Sequence, residues 1–354
     1  MNRSRSESTS SNSSRYVVYS IEHPHWASMP PLSQDVQTVM GCIATLNCAL
    51  ALAGTLAVVV LIMRFRSLRT YSNLFVLNLA VSDLLMAVGN IPMLIISSFS
   101  GHWVFGVAGC YVYAFLGAVG SFVSINTLAV ISVDRCFVIL KTIPGQKRMS
   151  RRTFATIITT IWLYAIAWAS GPFFGFGRYI LEGTNTSCTF DFFSKTPAVQ
   201  GFVIAIFIVH FCIPVTVISV SYFLLYTAIM RFKLQFLEAS RVFGEIELPL
   251  PMRRGSQGYI NEKKTTRAVI IVILVFCISW APYACVAMFG VFGDASKITR
   301  LAAGIPGLFA KCSAIFNPII YALLHPRFRS KLFPCRRGET ERGTALNRTP
   351  LFNL

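Results

Sequence analysis

Residues 36–63 read VQTVMGCIATLNCALALAGTLAVVVLIM, without one charged side chain. A helix crossing the hydrocarbon core of a bilayer needs roughly 20 apolar residues, and this stretch exceeds that length. Six further segments qualify: 72–97, 110–133, 153–174, 198–230, 268–290 and 301–324. The second carries a single acid, Asp83, and the seventh a single base, Lys311. In lipid the backbone must satisfy its own hydrogen bonds, which runs of this length do as helices. The predicted fold is an all-α membrane protein, a seven-transmembrane helix bundle over residues 37–324. Residues 1–34 are polar and Ser-rich, with no cleavable leader pattern, so the first span is expected to act as signal anchor.

Composition agrees. Of 354 residues, 54% are hydrophobic and 13% charged, whereas a soluble domain carries about 25% charged residues. A soluble enzyme, a disordered chain, a collagen and a small disulfide-stapled fold are excluded. Most of the ten cysteines lie inside apolar runs, where they act as small hydrophobes; Cys110 and Cys188 fall outside them or at their edge.

The net charge of +18 would point to nucleic acid in a soluble protein. Here the basic residues follow topology instead, so no nucleic-acid partner is expected. With the N-terminus outside, the inner loops at 64–69, 141–152 and 231–267 hold sixteen Lys and Arg, and the outer loops only Arg178, Lys195, Lys297 and Arg300. That asymmetry sets the orientation, and attraction to anionic membrane lipid is secondary. Glycosylation triplets at Asn2 and Asn12 fit an outer tail over residues 1–36. A third, at Asn185, lies beside Cys188 and is expected to be too crowded for use.

Several marks inside the spans belong together. Asp134-Arg135-Cys136 ends the third span, Trp162 sits in the fourth, and Pro214 with Tyr222 in the fifth. Trp280-Ala281-Pro282-Tyr283 marks the sixth, and Asn317-Pro318-Ile319-Ile320-Tyr321 closes the seventh. An amphipathic stretch at 325–333 follows, read as a short eighth helix over 325–335 ahead of an inner tail at 336–354. Over about residues 40–335 the chain resembles the rhodopsin-like, class A G-protein-coupled receptors. Two positions depart from their pattern: Thr55 replaces an asparagine after Gly54, and Cys136 replaces a tyrosine.

Lys311 narrows the resemblance. A lone lysine near mid-bilayer costs about 2.5–3.5 kcal/mol on insertion scales. Its plain reading is an internally paired lysine, and its chemical reading is an amine kept for condensation with an aldehyde. In Phe309-Ala310-Lys311-Cys312-Ser313, seven residues before Pro318, it is similar to the retinal-binding lysine of opsins. The resemblance extends to residues 177–191, which look like the opsin loop that lids the chromophore. It implies a disulfide between Cys188 and Cys110 and an Arg178–Asp191 ion pair holding the loop. His23-Pro24-His25-Trp26 resembles the N-terminal segment of invertebrate visual opsins.

The same resemblance implies the working parts. A retinal-derived cation at Lys311, 11-cis in the dark and all-trans after light, needs a nearby anion. The third-helix position that supplies one in vertebrate visual opsins is Tyr113 here, which leaves Glu182 as counterion, as in invertebrate opsins and melanopsins. Counterions at that position go with bistable pigments. Tyr113, Trp280 and Tyr283 should line the pocket, with His210 nearer its far end. Asp83 is assigned to activation with Asn317, Pro318 and Tyr321. Glu262 would hold Arg135, next to Asp134, in the closed form, and Tyr222 and Tyr321 would receive it in the open one. The expected partner is a heterotrimeric G protein, weakly of Gq type from His325-Pro326-Arg327, with arrestin and receptor kinase in addition. Cys335 is a palmitoylation candidate. Two other readings stand beside this one: a retinal photoisomerase on the same fold, and a receptor for a diffusible ligand. No metal site is expected.

Overall fold

In the computed structural model, residues 21–140, 149–247 and 250–324 are described. The first span is the helix Gln34–Arg64, started by Ser33, whose hydroxyl accepts from the Val36 amide. The second runs Tyr71–Gly89 and resumes as Ile91–Ser100. Pro92 lacks an amide and crowds the carbonyl one turn back, which accounts for the break at Asn90. The third is Gly106–Leu140 and the fourth Arg151–Ala169, capped by Ser150. The fifth begins as Pro197–Phe207, opens into one π-helical turn at Ile208–Cys212 and continues as Ile213–Glu247. Pro214 cannot donate to the carbonyl of His210, and the wide turn accommodates that missing bond. The sixth, Leu250–Phe292, carries Pro282 inside. The seventh divides into Arg300–Lys311 and Ser313–Leu324.

Six of these spans are long and apolar enough to cross a membrane on composition alone. The fourth is shorter, and Arg151, Arg152 and several threonines dilute its first turns. Its helix stops at Ala169, before a 3-10 turn at Gly171–Phe174 that starts with a proline, so the expected limit of 174 ran past the helix proper. The third, fifth and sixth helices extend well beyond the apolar segments read from sequence. Hydropathy registers the part in lipid, and the polar turns that prolong a helix into water are invisible to it.

The third span is the hub, with 72% of its apolar window buried. Around it, Leu128 and Ile131 pack with Phe75, Val272 and Phe276 from the second and sixth spans. Helices in lipid gain little from the hydrophobic effect, so packing and interhelical hydrogen bonds hold them. One such ladder crosses three spans: Trp162 donates to Asn78 at 2.9 Å, and Asn78 to Thr127 at 2.8 Å. At one end of the bundle a hairpin closes over the helices, β1 (Tyr179–Leu181) antiparallel to β2 (Cys188–Phe190), with Leu181 opposite Cys188. A disulfide ties Cys188 to Cys110 near the start of the third span.

The chain before the first span packs on this hairpin. Trp26 is fully buried and donates its indole N–H to the Leu181 carbonyl at 3.1 Å. Arg300, at the head of the seventh span, is buried beneath it. Its guanidinium donates to the carbonyls of Gly183 (3.0 Å), Met29 (3.2 Å) and Trp26, and to Asn185 Oδ1 (3.1 Å). It also pairs with Glu22 at 3.8 Å and lies over the Trp26 ring. One side chain thus fastens the N-terminal segment, the hairpin loop and the seventh span together.

Candidate functional site

Beneath the hairpin lies a cavity of about 160 Å³. One water needs roughly 10–15 Å³, so the space holds a far larger molecule. Lys311, Glu182, Tyr113, Trp280, Tyr283 and His210 all line it. These residues come from the third, fifth, sixth and seventh spans and the hairpin loop, and only the fold brings them together.

Lys311 ends the first half of the seventh helix. Its amine donates to the Gly307 carbonyl at 3.2 Å and stands 5.8 Å from the centre of the Tyr113 ring. Glu182 is buried in the hairpin loop above, and its Oε2 accepts from the Ser187 hydroxyl at 2.5 Å. Burial pushes the Glu182 carboxyl above its ordinary range, opposed by the positive charge of Lys311 and the Ser187 bond. Among the described residues no ion pair within 4 Å joins the two, although both line the same cavity.

Elsewhere the lining is aromatic. Trp280 stacks on Phe276 and donates to Ser313 at 3.3 Å, the second residue past Lys311. Tyr283 bonds to Thr189 of β2. His210 sits in the π-helical turn, its ring stacked on Phe122 at 3.7 Å and its Nδ1 within 3.4 Å of the Asn126 amide. The extra residue of that turn re-aims the fifth span and places His210 at the cavity wall. Sequence reasoning missed Asn90, which lines the cavity with a buried Oδ1 that has no hydrogen-bond partner among the described residues. Its signal was a lone amide two residues before a proline in an apolar run.

Arg178 and Asp191 form the expected ion pair, at 2.7 Å. Burial would raise the Asp191 carboxyl, but hydrogen bonds from the Ser194 hydroxyl and amide, joined by Arg178, outweigh it and hold it below its ordinary value. At the other end of the bundle Asp134 pairs with Arg135 at 3.5 Å and accepts from Ser72 at 2.5 Å. Asp83 is buried and accepts from Asn317 at 2.8 Å, beside Pro318 and Thr55 in a small gap. Tyr222 packs on the core of that end. The side chains of Glu262 and Tyr321 lie outside the described residues, as do Asn2, Asn12, Cys335 and the stretch expected to form the eighth helix.

Residues 54–321 match the family model of the seven-transmembrane receptors (rhodopsin family). The chain is 38% identical over 312 residues to the Gq-coupled rhodopsin of Mizuhopecten yessoensis, covering 88% of this chain and 62% of that one. It is 35% identical over 311 residues to the rhodopsin of Enteroctopus dofleini, covering 88% and 68%. The chain belongs to the opsins. The melanopsin of Mus musculus is 37% identical over 316 residues, covering 88% of this opsin and 59% of that protein. The chain thus spans less than two thirds of the length of some of these relatives. The crystal structure of squid rhodopsin superposes with a TM-score of 0.82 at 33% identity, covering 93% of this chain and 96% of that one. The opsin is an integral, multi-pass membrane protein of a receptor family.

Proposed function

We propose that this opsin is a light-sensing receptor that holds retinal covalently at Lys311 and signals to a heterotrimeric G protein. The observation that carries the reading is the placement of Lys311: an amine facing an aromatic-walled cavity that a buried carboxyl also lines. These residues fit the group. The amine condenses with an aldehyde, the aromatic walls suit a polyene, and Glu182 supplies the negative charge that keeps a cation at Lys311 stable. Retinal, when bound, supplies light absorption and a change of shape, 11-cis in the dark and all-trans afterwards.

The protein's part is to hold and transmit. Trp280 spans the cavity floor between Phe276 and Ser313, so a change of shape above it bears on the sixth span near its Pro282 and on the seventh at once. Both spans lead to the end where Asp134, Arg135, Asp83 and Asn317 sit. There Glu262 holds Arg135 in the resting form, and Tyr222 and Tyr321 receive it in the active one. The orientation that fits puts the hairpin outside and the Arg135 end in the cytoplasm, facing the G protein, arrestin and a receptor kinase. The G protein is of Gq type, by likeness to the Gq-coupled rhodopsin of Mizuhopecten yessoensis. Glu182 as counterion goes with a bistable pigment.

The test is an absorption spectrum of purified protein given 11-cis retinal, before and after light and after a second wavelength. A visible band that shifts and returns is expected, and Lys311→Ala should abolish it while leaving folded protein. A band that survives in Lys311→Ala sinks the attachment site. A band formed only with all-trans retinal, and yielding the 11-cis isomer, replaces the receptor reading with a photoisomerase.

A further inference from the structure

We infer that Gly307 positions the Glu182 carboxyl against the seventh span and thereby sets how strongly that acid acts on the amine of Lys311. The inference rests on the roles given to Lys311 and Glu182 above. Both partners meet at this one residue. The Gly307 carbonyl accepts from the Lys311 amine at 3.2 Å. A Cβ on Gly307 would stand 2.5 Å from Glu182 Oε1, and 3.2 Å from both Cδ and Oε2. The carboxyl therefore occupies the volume that a side chain at 307 would fill, one helical turn from Lys311.

Glu182 has no easy retreat. Its Oε2 accepts from Ser187 at 2.5 Å, and its amide donates to the Ser187 carbonyl at 2.9 Å. The residues after it continue along the same helix face. Gly183 lies against the backbone of Arg300, where a Cβ would come within 2.6 Å of the carbonyl oxygen, and Thr184 fills the space beside Gly304. Positions 300, 304 and 307 recur at the spacing of one helical stripe, so loop residues 182–184 pack over one face of the helix, which glycine keeps clear at 304 and 307. Arg300 locks the register by donating to the Gly183 carbonyl at 3.0 Å.

A methyl group at 307 forces the carboxyl back by roughly 1 Å to reach ordinary contact. Taking the two unit charges as about 5 Å apart, just beyond ion-pair contact, at an effective dielectric constant near 20, an increase of about 1 Å in their separation weakens the attraction by roughly 0.4 pKa unit. Gly307→Ala should therefore lower the pKa of the retinal-linked amine by about half a unit and move the visible band to longer wavelength.

The experiment is a pH titration of the reconstituted pigment in four forms: unaltered, Gly307→Ala, Glu182→Gln, and the two together. Gly304→Ala, which crowds the uncharged Thr184, is the control for general loop displacement. A fall in pKa with Gly307→Ala that vanishes in the Glu182→Gln background, and is absent in Gly304→Ala, supports the inference. No fall, an equal fall without Glu182, or the same fall with Gly304→Ala overturns it. Should Gly307→Ala alone form no pigment, adding Glu182→Asp shortens the acid and relieves the crowding. Recovery of the band then supports the inference, and no recovery overturns it. Absence of a band in the unaltered protein instead removes the reading of Lys311 on which all this stands.

Discussion

Arg300→Ala is the sharpest probe of how the hairpin end is closed. The guanidinium is buried and reaches four acceptors on two segments, with Glu22 as its ionic partner. Hydrogen bonds from a charged donor are worth about 1.5–3 kcal/mol each. Summing them overstates the effect, because burying the cation already costs several kcal/mol. The relevant figure is the loss on breaking a buried pair while its partners stay in place, about 3–5 kcal/mol. At tenfold per 1.4 kcal/mol, the N-terminal segment should open roughly a hundredfold to several thousandfold more often.

Hydrogen exchange reads this directly, with or without chromophore. The amides of Trp26 and Met29 donate to the carbonyls of His23 and Trp26 at 2.9 and 3.1 Å, and both should lose protection together in Arg300→Ala. Arg300→Lys keeps the charge but not the planar fork, so it should fall between the two. Amides of the third span serve as reference and should not change. If protection at Trp26 and Met29 stays within about threefold of the unaltered protein, an effect far below the pair-breaking cost, then Trp26 burial alone holds the segment and the clasp is ornamental.

Three other outcomes follow from named contacts. The Asp191 carboxyl lies below its usual value of 3.8. Its stabilising contribution is therefore complete above that pH and is lost as pH falls through the depressed value. Thermal melts of Asp191→Asn should lack that acid-limb loss; an unchanged acid limb would show that other carboxylates produce it. Lys195 donates to the carbonyls of Gly290, Val291 and Gly293 at the end of the sixth span. Because Lys195 is exposed, Lys195→Ala should cost only about 0.5–1.5 kcal/mol, visible as a small drop in melting temperature. Asn317→Ala leaves the buried Asp83 without its donor, a loss of about 1–3 kcal/mol; Asp83→Asn in the same chain should recover part of it, and no recovery would mean that the two do not act as a pair.

Much of this architecture was legible in the sequence, because lipid imposes a length and a composition on each span. The seven apolar runs gave the spans, and the resemblance to opsins carried by Lys311 and the loop before Cys188 implied six of the residues that line the cavity. What escaped were features set by single backbone events. The break at Asn90 and the π-helical turn at 208–212 depend on which carbonyl a proline leaves without a donor, and hydropathy does not register that. Asn90 was missed for the same reason, since its neighbours read as one uninterrupted span. Gly307 and Gly304 were also silent. A glycine inside a helix looks like a weak residue until another segment is seen to occupy the space it leaves.

The four basic residues on the hairpin side are the last point at which sequence and structure explain each other. Counted for topology, Arg178, Lys195, Lys297 and Arg300 are exceptions to an otherwise one-sided distribution. In the fold, three of them are tied down. Arg178 is neutralised by Asp191, Arg300 by Glu22 and a ring of carbonyls, and Lys195 sits on the carbonyl end of the sixth span. Orientation follows the count of bases rather than net charge, so their acidic partners do not cancel these four; sixteen against four outweighs them. The exceptions leave the expected orientation unchanged, and the fold gives three of them other partners. Arg178 and Arg300 also fasten the hairpin and its loop above the cavity that Lys311 faces, so two of the bases that weaken the topological count hold the segment lying over it.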